Sequence, residues 1–228
     1  MASSGLVSLT YDGSLLCHLE TVLPHLEASG LKATFYAEPA MLLENLPGWA
    51  LAVLDGHEVG NGALHGAVLE DGSLPGWTLP MVADDVSEAK ALIEELFPDQ
   101  RGHSFGFPWG RPLSDGVDVS QTVKDIYPVV RSGEPGINDA DQSLDYLFCV
   151  PCDGISAEEM IDYAMAAGQK GAWVVLSFEG VGVGERAVDA SAHLELCKFL
   201  KGADIEVAPV VRAAKSLASA KSRGIKLV

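Results

Sequence analysis

The chain has 228 residues, of which 48% are hydrophobic and 21% charged, and this is enough apolar material for a sizeable core and excludes a fully disordered protein. Acidic residues outnumber basic ones 32 to 15, so the formal net charge is −17, a field that repels phosphate backbones and argues against nucleic acid as a partner. No apolar run approaches the roughly 18 residues that span a bilayer, and the first residues lack the features of a secretory leader. We therefore expect a cytoplasmic protein without a membrane partner.

Apolar, β-rich runs alternate with helical periodicity along the whole chain, which is typical of βαβ units around a parallel sheet. The predicted strands are, in chain order, Val7–Tyr11, Ala33–Tyr36, Glu58–Asn61, His103–Phe107, Val129–Arg131, Tyr146–Val150, Ala172–Phe178 and Ile205–Ala208. The seventh run is almost continuously apolar and is expected to be central. Seven or eight strands in this length predict an α/β fold, a closed or nearly closed barrel, with residues 1–228 as one domain.

Three helices are predicted between these strands. A capping box at Ser156 and Glu159 opens an apolar-periodic segment that is expected to end at Gly168. Helical spacing of apolar residues predicts a second helix from Asp85 to Leu96. A third helix is expected over Leu16–Ala28, with Pro24 near its first turn or at a kink.

The four cysteines do not predict a disulfide framework in a chain of this length. Cys149 and Cys152 match the spacing of a zinc-binding pair, but neither Cys17 nor Cys197 has a partner at a suitable distance in the sequence. We expect four reduced thiols that are buried as small hydrophobic side chains.

Polar or glycine-rich segments follow several of the predicted strands, and ligand sites in α/β barrels lie at these carboxyl ends. The candidate site residues are Asp12 after the first strand, Asn61 and His65 after the third, Phe107, Pro108 and Trp109 after the fourth, and Glu179 after the central one.

Several of these segments carry a resemblance to a known family. The run Val7-Ser8-Leu9-Thr10-Tyr11-Asp12, the segment Gly56–Asn61 and the segment Ser104–Gly110 resemble successive motifs of the polysaccharide deacetylases with a NodB-type homology domain, carbohydrate esterase family 4. The run Trp173–Gly182 is similar to the family's late catalytic motif. The resemblance covers nearly the whole chain and implies a distorted (β/α) barrel of seven or eight units that acts on acetylated sugars.

The resemblance fails at the metal site that it implies. The family's three metal ligands, one aspartate and two histidines, fall on Gly13, Gly62 and Gly66, and glycine has no side-chain donor for a metal. The arginine of the third motif falls on Gly106, and the late histidine, a general acid in the family, falls on Glu179. Only the catalytic-base position keeps its residue, Asp12. We therefore expect no metal and no cofactor.

The remaining polar and aromatic residues leave alternatives open. Asp12 and Glu179 are either an acid/base pair at one pocket mouth or a turn cap and a remnant of a relaxed site. His65 is either a ligand contact or a loop histidine in solvent, and Trp109 either stacks on a sugar or packs against the protein.

Three functions are compatible with this pattern. The first is a family member that has lost metal-dependent hydrolysis and keeps a glycan-binding or structural role. The second is a metal-independent deacetylase in which Asp12 activates water and Glu179 is the acid. The third is glycoside hydrolysis by the same two carboxylates. The resemblance implies a carbohydrate as a possible ligand, and the oligomeric state stays open.

Overall fold

A closed barrel of parallel strands forms the centre of the computed structural model, which describes residues 5–65, 76–114 and 117–222. The strands in chain order are β1 (Leu6–Asp12), β2 (Thr34–Ala37), β3 (Glu58–Asn61), β4 (Phe105–Gly106), β5 (Leu113–Ser114), β6 (Val117–Asp118), β7 (Val130–Pro135), β8 (Leu147–Pro151), β9 (Trp173–Phe178), β10 (Gly180–Val181), β11 (Ala187–Val188) and β12 (Glu206–Val207). Seven of them follow one another around the barrel in the order β1-β2-β3-β4-β7-β8-β9.

The barrel closes where β1 pairs with β9 over six residues, from Leu6 beside Trp173 to Tyr11 beside Phe178. On its other edge β1 pairs with β12 near its beginning and with β2 near its end. The predicted α/β barrel is therefore confirmed, with seven strands in the closed ring and a short eighth strand attached to β1.

Helices cover the outside of the barrel. They are α1 (Leu23–Ser29), α2 (Pro39–Glu44), α3 (Leu46–Leu54), α4 (Leu79–Leu96), α5 (Ser120–Lys124), α6 (Ala157–Lys170), α7 (Ala190–Gly202) and α8 (Val210–Ser222), with a π-helical turn at His18–Val22 and a 3₁₀ turn at Pro108–Gly110. Among the described residues, none of these helices is long and apolar enough to cross a bilayer.

The structure corrects several predicted boundaries. The capping box at Ser156 is confirmed, but α6 continues past Gly168 to Lys170, because Gly171 adopts the left-handed conformation that ends it. The helix predicted from Asp85 begins six residues earlier, at Leu79, where Thr78 caps it. The segment predicted as one helix over Leu16–Ala28 is a π-helical turn followed by α1, with Pro24 in the first turn of α1.

Two other expectations concern strands and cysteines. The strand predicted over His103–Phe107 is reduced to the two residues of β4. β7 runs four residues further than the predicted Val129–Arg131. The four cysteines are buried free thiols, as expected.

Side chains alternate between two environments along the barrel strands. Val7, Leu9 and Tyr11 of β1 are fully buried and pack in the main apolar cluster with side chains from the surrounding helices. Ser8 and Thr10, on the opposite face of the strand, are also fully buried and donate to backbone carbonyls of neighbouring segments. The interior of the barrel therefore contains polar side chains beside apolar ones such as Trp173 and Val175.

A chain of polar contacts runs through this interior, and we call it the interior polar column. The buried Glu58 accepts a 2.7 Å hydrogen bond from the Ser104 hydroxyl, which lies 3.0 Å from the Tyr36 hydroxyl. The Arg131 guanidinium lies 4.8 Å from the centre of the Tyr36 ring and pairs with Asp12. The column connects the beginning of the barrel strands with their carboxyl ends, where Asp12 ends β1.

Buried histidines generate a prediction about acid stability. Burial lowers the pKa of His18, His57 and His103 from 6.5 to about 4 and that of His193 to about 3. The ring nitrogens Nδ1 of His18 and His57 accept hydrogen bonds from backbone N–H groups, which requires the neutral imidazole.

Protons bind these imidazoles in the unfolded chain below about pH 6.5 and in the folded chain only near pH 4, so stability is full above about pH 6.5 and is lost as the pH falls toward 4. With four such groups, we expect the free energy of unfolding to fall by up to about 5 kcal/mol per pH unit near pH 5. The raised pKa values of Glu38 and Asp85 offset part of this loss. Urea unfolding midpoints between about pH 8 and pH 5 measure the effect, and a midpoint that does not change over this range would contradict it.

Candidate functional site

A cavity of about 150 Å³ opens at the carboxyl ends of the barrel strands, where ligand sites lie in α/β barrels. Its lining combines charged side chains with aromatic and glycine residues from the ends of several strands. The charged residues that line it are Asp12, Glu38, Arg131, Asp153, Glu179 and Arg186.

Asp12 is held in a bidentate ion pair by Arg131. The Nη1 atom of Arg131 donates to Oδ2 of Asp12 over 3.0 Å, and Nη2 donates to Oδ1 over 2.9 Å. The Ser177 hydroxyl, at the end of β9, contacts Oδ2 at 3.3 Å and also contacts Nη1 of Arg131. Both carboxylate oxygens of Asp12 are therefore used by the protein itself.

Arg131 is almost completely buried, with 1% of its surface exposed. Burial favours a lower pKa for its guanidinium, but the adjacent Asp12 carboxylate outweighs this, and the pKa is raised. The ring of Tyr36 stacks beneath the guanidinium. A Cβ atom at Gly106 would lie 2.8 Å from this ring and 3.0 Å from Nη2 of Arg131. Glycine at position 106 therefore makes room for both side chains.

Glu38 lies at the end of β2 and faces the same cavity. Burial, together with the negative charge of Asp12, raises the pKa of its carboxyl group. Its Oε1 atom lies 3.9 Å from the point that a Cβ atom at Gly13 would occupy. Glu38 precedes α2, but its side chain does not cap that helix.

Arg186 connects the charged groups at the mouth of the cavity. Its Nε and Nη2 atoms lie 2.8 and 2.7 Å from Oδ2 of Asp153, and Nε lies 3.5 Å from Oε2 of Glu179. The guanidinium also lies over the ring of Trp109, 5.4 Å from its centre. The two acidic side chains come from the segments that follow β8 and β9, so this contact joins neighbouring parts of the rim.

The backbone at Trp109 is strained. Trp109 has a φ of +53°, which is uncommon for a residue other than glycine. The loop is fixed by the close approach of Gly110 to Gly133 of β7, where an added Cβ atom at Gly110 would lie 2.6 Å from the Gly133 Cα atom. The indole is 44% exposed beside the cavity. The strained backbone conformation therefore places an exposed aromatic ring at the mouth of the cavity.

The structure brings five of the seven predicted site residues to this cavity: Asp12, Phe107, Pro108, Trp109 and Glu179. Asn61 is fully buried, and its amide donates to the carbonyl of Val86 and to the hydroxyl of Tyr127 while its Oδ1 accepts from the N–H of Ala63. His65 is exposed outside the cavity lining, and its N–H donates to Asp85.

Four charged residues of the site were not predicted from the sequence: Glu38, Arg131, Asp153 and Arg186. Arg131 ends a predicted apolar strand, and a charge in such a strand requires a buried counter-charge, so a signal existed. Glu38 follows the second strand, and a search for polar residues at the carboxyl end of that strand would have found it. Arg186 lies in a glycine-rich loop and gives no local signal.

The described residues do not fit the metal that the resemblance implies. Gly13 and Gly62 supply no side-chain donor, and both oxygens of Asp12 are held by Arg131. Gly66, the third implied ligand position, lies outside the described residues. Gly13 has a φ of +92°, which disfavours an aspartate at this position. Within the described ranges, no three histidine, cysteine, aspartate or glutamate side chains are grouped so that they could hold a metal ion.

Comparisons with known proteins agree with this fold. Residues 2–124, more than half of the chain, match the family model described as Polysaccharide deacetylase. No curated protein matches the sequence.

Three solved structures illustrate the structural similarity. A family 4 acetyl xylan esterase from Clostridium thermocellum, solved with a cobalt ion, has 18% identity and a TM-score of 0.59, with 97% of this chain and 93% of that chain covered. The Xyl-CE4 domain of a multidomain xylanase from the hindgut metagenome of Trinervitermes trinervoides has 16% identity and a TM-score of 0.60, with 96% and 92% covered. A CE4 family pseudoenzyme from Bacillus anthracis has 16% identity and a TM-score of 0.57, with 93% and 66% covered. At these identities the similarity shows the fold alone.

The ion pair between Asp12 and Arg131 should stabilise the fold strongly. Asp12→Asn leaves the buried charge of Arg131 uncompensated and should lower the free energy of unfolding by about 3 kcal/mol. Arg131→Met should lower it less, because the Asp12 side chain is 34% exposed and can be hydrated. The double variant should lose clearly less than the sum, with a coupling energy above about 1 kcal/mol in urea unfolding.

The exposed pair Lys32 and Asp55 is the matched control. Its side chains are 26% and 56% exposed, so Lys32→Met and Asp55→Asn should couple by less than about 1 kcal/mol. A coupling energy for the buried pair that does not exceed that of the exposed pair would show that Arg131 is not the stabilising partner of Asp12.

Proposed function

This chain belongs to the polysaccharide deacetylase family, and we propose that it binds a glycan in the cavity at the end of the barrel without metal-dependent hydrolysis of acetyl groups. One observation carries the proposal. Both oxygens of the residue at the catalytic-base position, Asp12, are held by Arg131, while Gly13 and Gly62 stand at implied metal-ligand positions without a donor.

The chemistry of the site supports this reading. A general base needs an available oxygen within hydrogen-bond reach of the attacking water. Arg131 donates to both oxygens of Asp12, so only the remaining lone pairs of this carboxylate are open to water. Hydrolysis of an acetyl group also needs a cation or donors that stabilise the developing oxyanion, a contribution of several kcal/mol. Arg131 is directed at Asp12 and is buried, so it does not fill this role.

The shape and lining of the cavity support binding. The exposed ring of Trp109 stands beside Phe107 and Pro108 at the edge of the cavity, and aromatic faces pack against the apolar C–H surface of sugars. Ligand sites typically combine such apolar surface with a few convergent polar groups, and Glu38 and Glu179 supply carboxylates here.

The alternative, a hydrolase that uses Asp12 and Glu179, receives less support. Both residues line the cavity, but Asp12 pairs with Arg131 and Glu179 lies 3.5 Å from Arg186. Each of the two carboxylates therefore contacts its own guanidinium group. Hydrolytic activity is therefore an outcome that the tests below can detect.

Further features of the proposal concern the chain as a whole. The structural similarity to a CE4 family pseudoenzyme from Bacillus anthracis agrees with a family member that lacks the metal-dependent reaction. We also propose that residues 1–228 form one domain, since strands from both ends of the sequence, β1 and β12, pair with each other. A cytoplasmic location, and the absence of nucleic acid and of a membrane as partners, stay predictions from the sequence.

Elemental analysis tests the metal part of the proposal. We expect purified protein to carry far less than one zinc, cobalt or nickel ion per chain, and added metal to leave the melting temperature unchanged, because binding to the folded state would raise it. A content of about one ion per chain that is lost in Asp12→Asn would contradict the proposal, because it would show a working site of metal-ligand type.

Tryptophan fluorescence and calorimetric titrations with chitin, chitosan and xylan oligosaccharides test the binding part. At least one of them should bind, and Trp109→Ala should weaken its affinity by roughly 3- to 10-fold, since an aromatic contact is worth about 0.5–1.5 kcal/mol. Trp77→Ala is the control, because Trp77 is partly buried beside His65 and outside the cavity lining. Acetate release from acetylated oligosaccharides that is abolished by Asp12→Asn would replace the proposal with the hydrolase alternative.

A further inference from the structure

The described lining of the cavity carries more negative than positive charge. Its carboxylates are those of Asp12, Glu38, Asp153 and Glu179, and its cations are the guanidinium groups of Arg131 and Arg186. Arg131 pairs with Asp12 and is buried, and Arg186 contacts both acidic side chains of the rim. The net charge of the whole chain is −17. This field disfavours ligands with carboxylate, sulfate or phosphate groups and favours cationic ones.

Glu38 is the carboxylate that lacks a counter-charge. Its carboxylate has no hydrogen bond or ion pair to any residue in the described part of the chain, although it lines the cavity near Asp12. Burial and the repulsion by Asp12 together raise its pKa. A cation that binds beside Glu38 would offset both its loss of hydration and its repulsion by Asp12.

A further group indicates a ligand that is more than a small cation. Trp109 keeps a positive φ and exposes its ring beside the same cavity, which matches an apolar sugar face.

We propose that the cavity selects glycans with free, protonated amino groups over their acetylated counterparts, and that Glu38 supplies the counter-charge for the ammonium group. This inference rests on the proposed glycan binding and names the ligand class of that same site. The cation and the apolar face are both present in one amino sugar unit. A metal ion or a linear polyamine offers the charge without the apolar face.

A matched set of oligosaccharides tests the inference. The affinities of a fully deacetylated chitosan tetramer, the fully acetylated chitin tetramer and the neutral cellotetraose are measured by calorimetry at about pH 6, where ordinary carboxylates are ionised. The amino tetramer should bind at least about tenfold more tightly than the acetylated one. This preference should weaken when the salt concentration is raised from about 50 to about 500 mM.

Glu38→Gln removes the charge and keeps the size of the side chain. It should reduce the preference for the amino tetramer over the acetylated one to near unity. Glu44→Gln is the matched control, because Glu44 is an exposed carboxylate in α2 that does not line the cavity. Near-ultraviolet circular dichroism and the melting temperature verify that both variants fold.

The outcomes separate this inference from the proposed function. If the acetylated tetramer binds as tightly as the amino tetramer, or more tightly, glycan binding stands and the inference is wrong. If the preference survives Glu38→Gln, the assignment of Glu38 is wrong. A linear tetra-amine that binds as tightly as the amino tetramer would show that charge alone is recognised, which overturns the sugar part. If no oligosaccharide binds, the proposed function itself fails.

Discussion

The buried charge of Arg131 is the constraint on which the centre of the barrel depends. A guanidinium with 1% exposure is tolerated only where a counter-charge and further favourable contacts compensate for its lost hydration. Asp12 supplies the counter-charge in a bidentate pair, and the ring of Tyr36 supplies the stacking surface. That ring packs against β3 and β4 because Gly60 and Gly106 have no Cβ atom, and an added Cβ atom at either position would lie 2.7 to 2.8 Å from it. Two glycines, an aromatic ring and an ion pair thus form one packing unit.

This unit gives a structural reason for Asp12 at a site where other expected functional residues are absent. The resemblance places an arginine at Gly106, and the structure instead brings an arginine from β7, whose Nη2 atom lies 3.0 Å from the point that a Cβ atom at Gly106 would occupy. An aspartate that holds this arginine is needed for the fold whether or not a metal is bound next to it. The identity of Asp12 therefore says little about catalysis, and the lack of side-chain donors at Gly13 and Gly62 says more.

The strands were predictable because the apolar runs are short, regular and separated by helical segments, and the barrel followed from their number. The ends of the elements were less predictable. The sequence offers two glycines as the end of α6, and the helix passes Gly168 because Gly171 is the one that adopts the left-handed conformation. Within the site, the position of ligand sites at the carboxyl ends of strands located Asp12 and Trp109. It could not identify the arginines that contact them. Arg131 is 119 residues from Asp12 in the sequence, and such a pairing is set by the strand order of the closed barrel, which local patterns do not contain.

The two carboxylates beside Gly13 have different surroundings, and this difference divides their roles. Asp12 gives its oxygens to Arg131 and Ser177, so a ligand cation at Asp12 would have to compete with a guanidinium that has no other carboxylate partner among the described residues. Glu38 has neither partner, and its carboxylate faces the cavity from the end of the adjacent strand. A ligand cation can contact Glu38 without disturbing the interior polar column. The stability of the barrel therefore depends on Asp12, and recognition at its mouth depends on the separate carboxylate of Glu38. A change at position 38 affects binding without breaking the ion pair between Asp12 and Arg131.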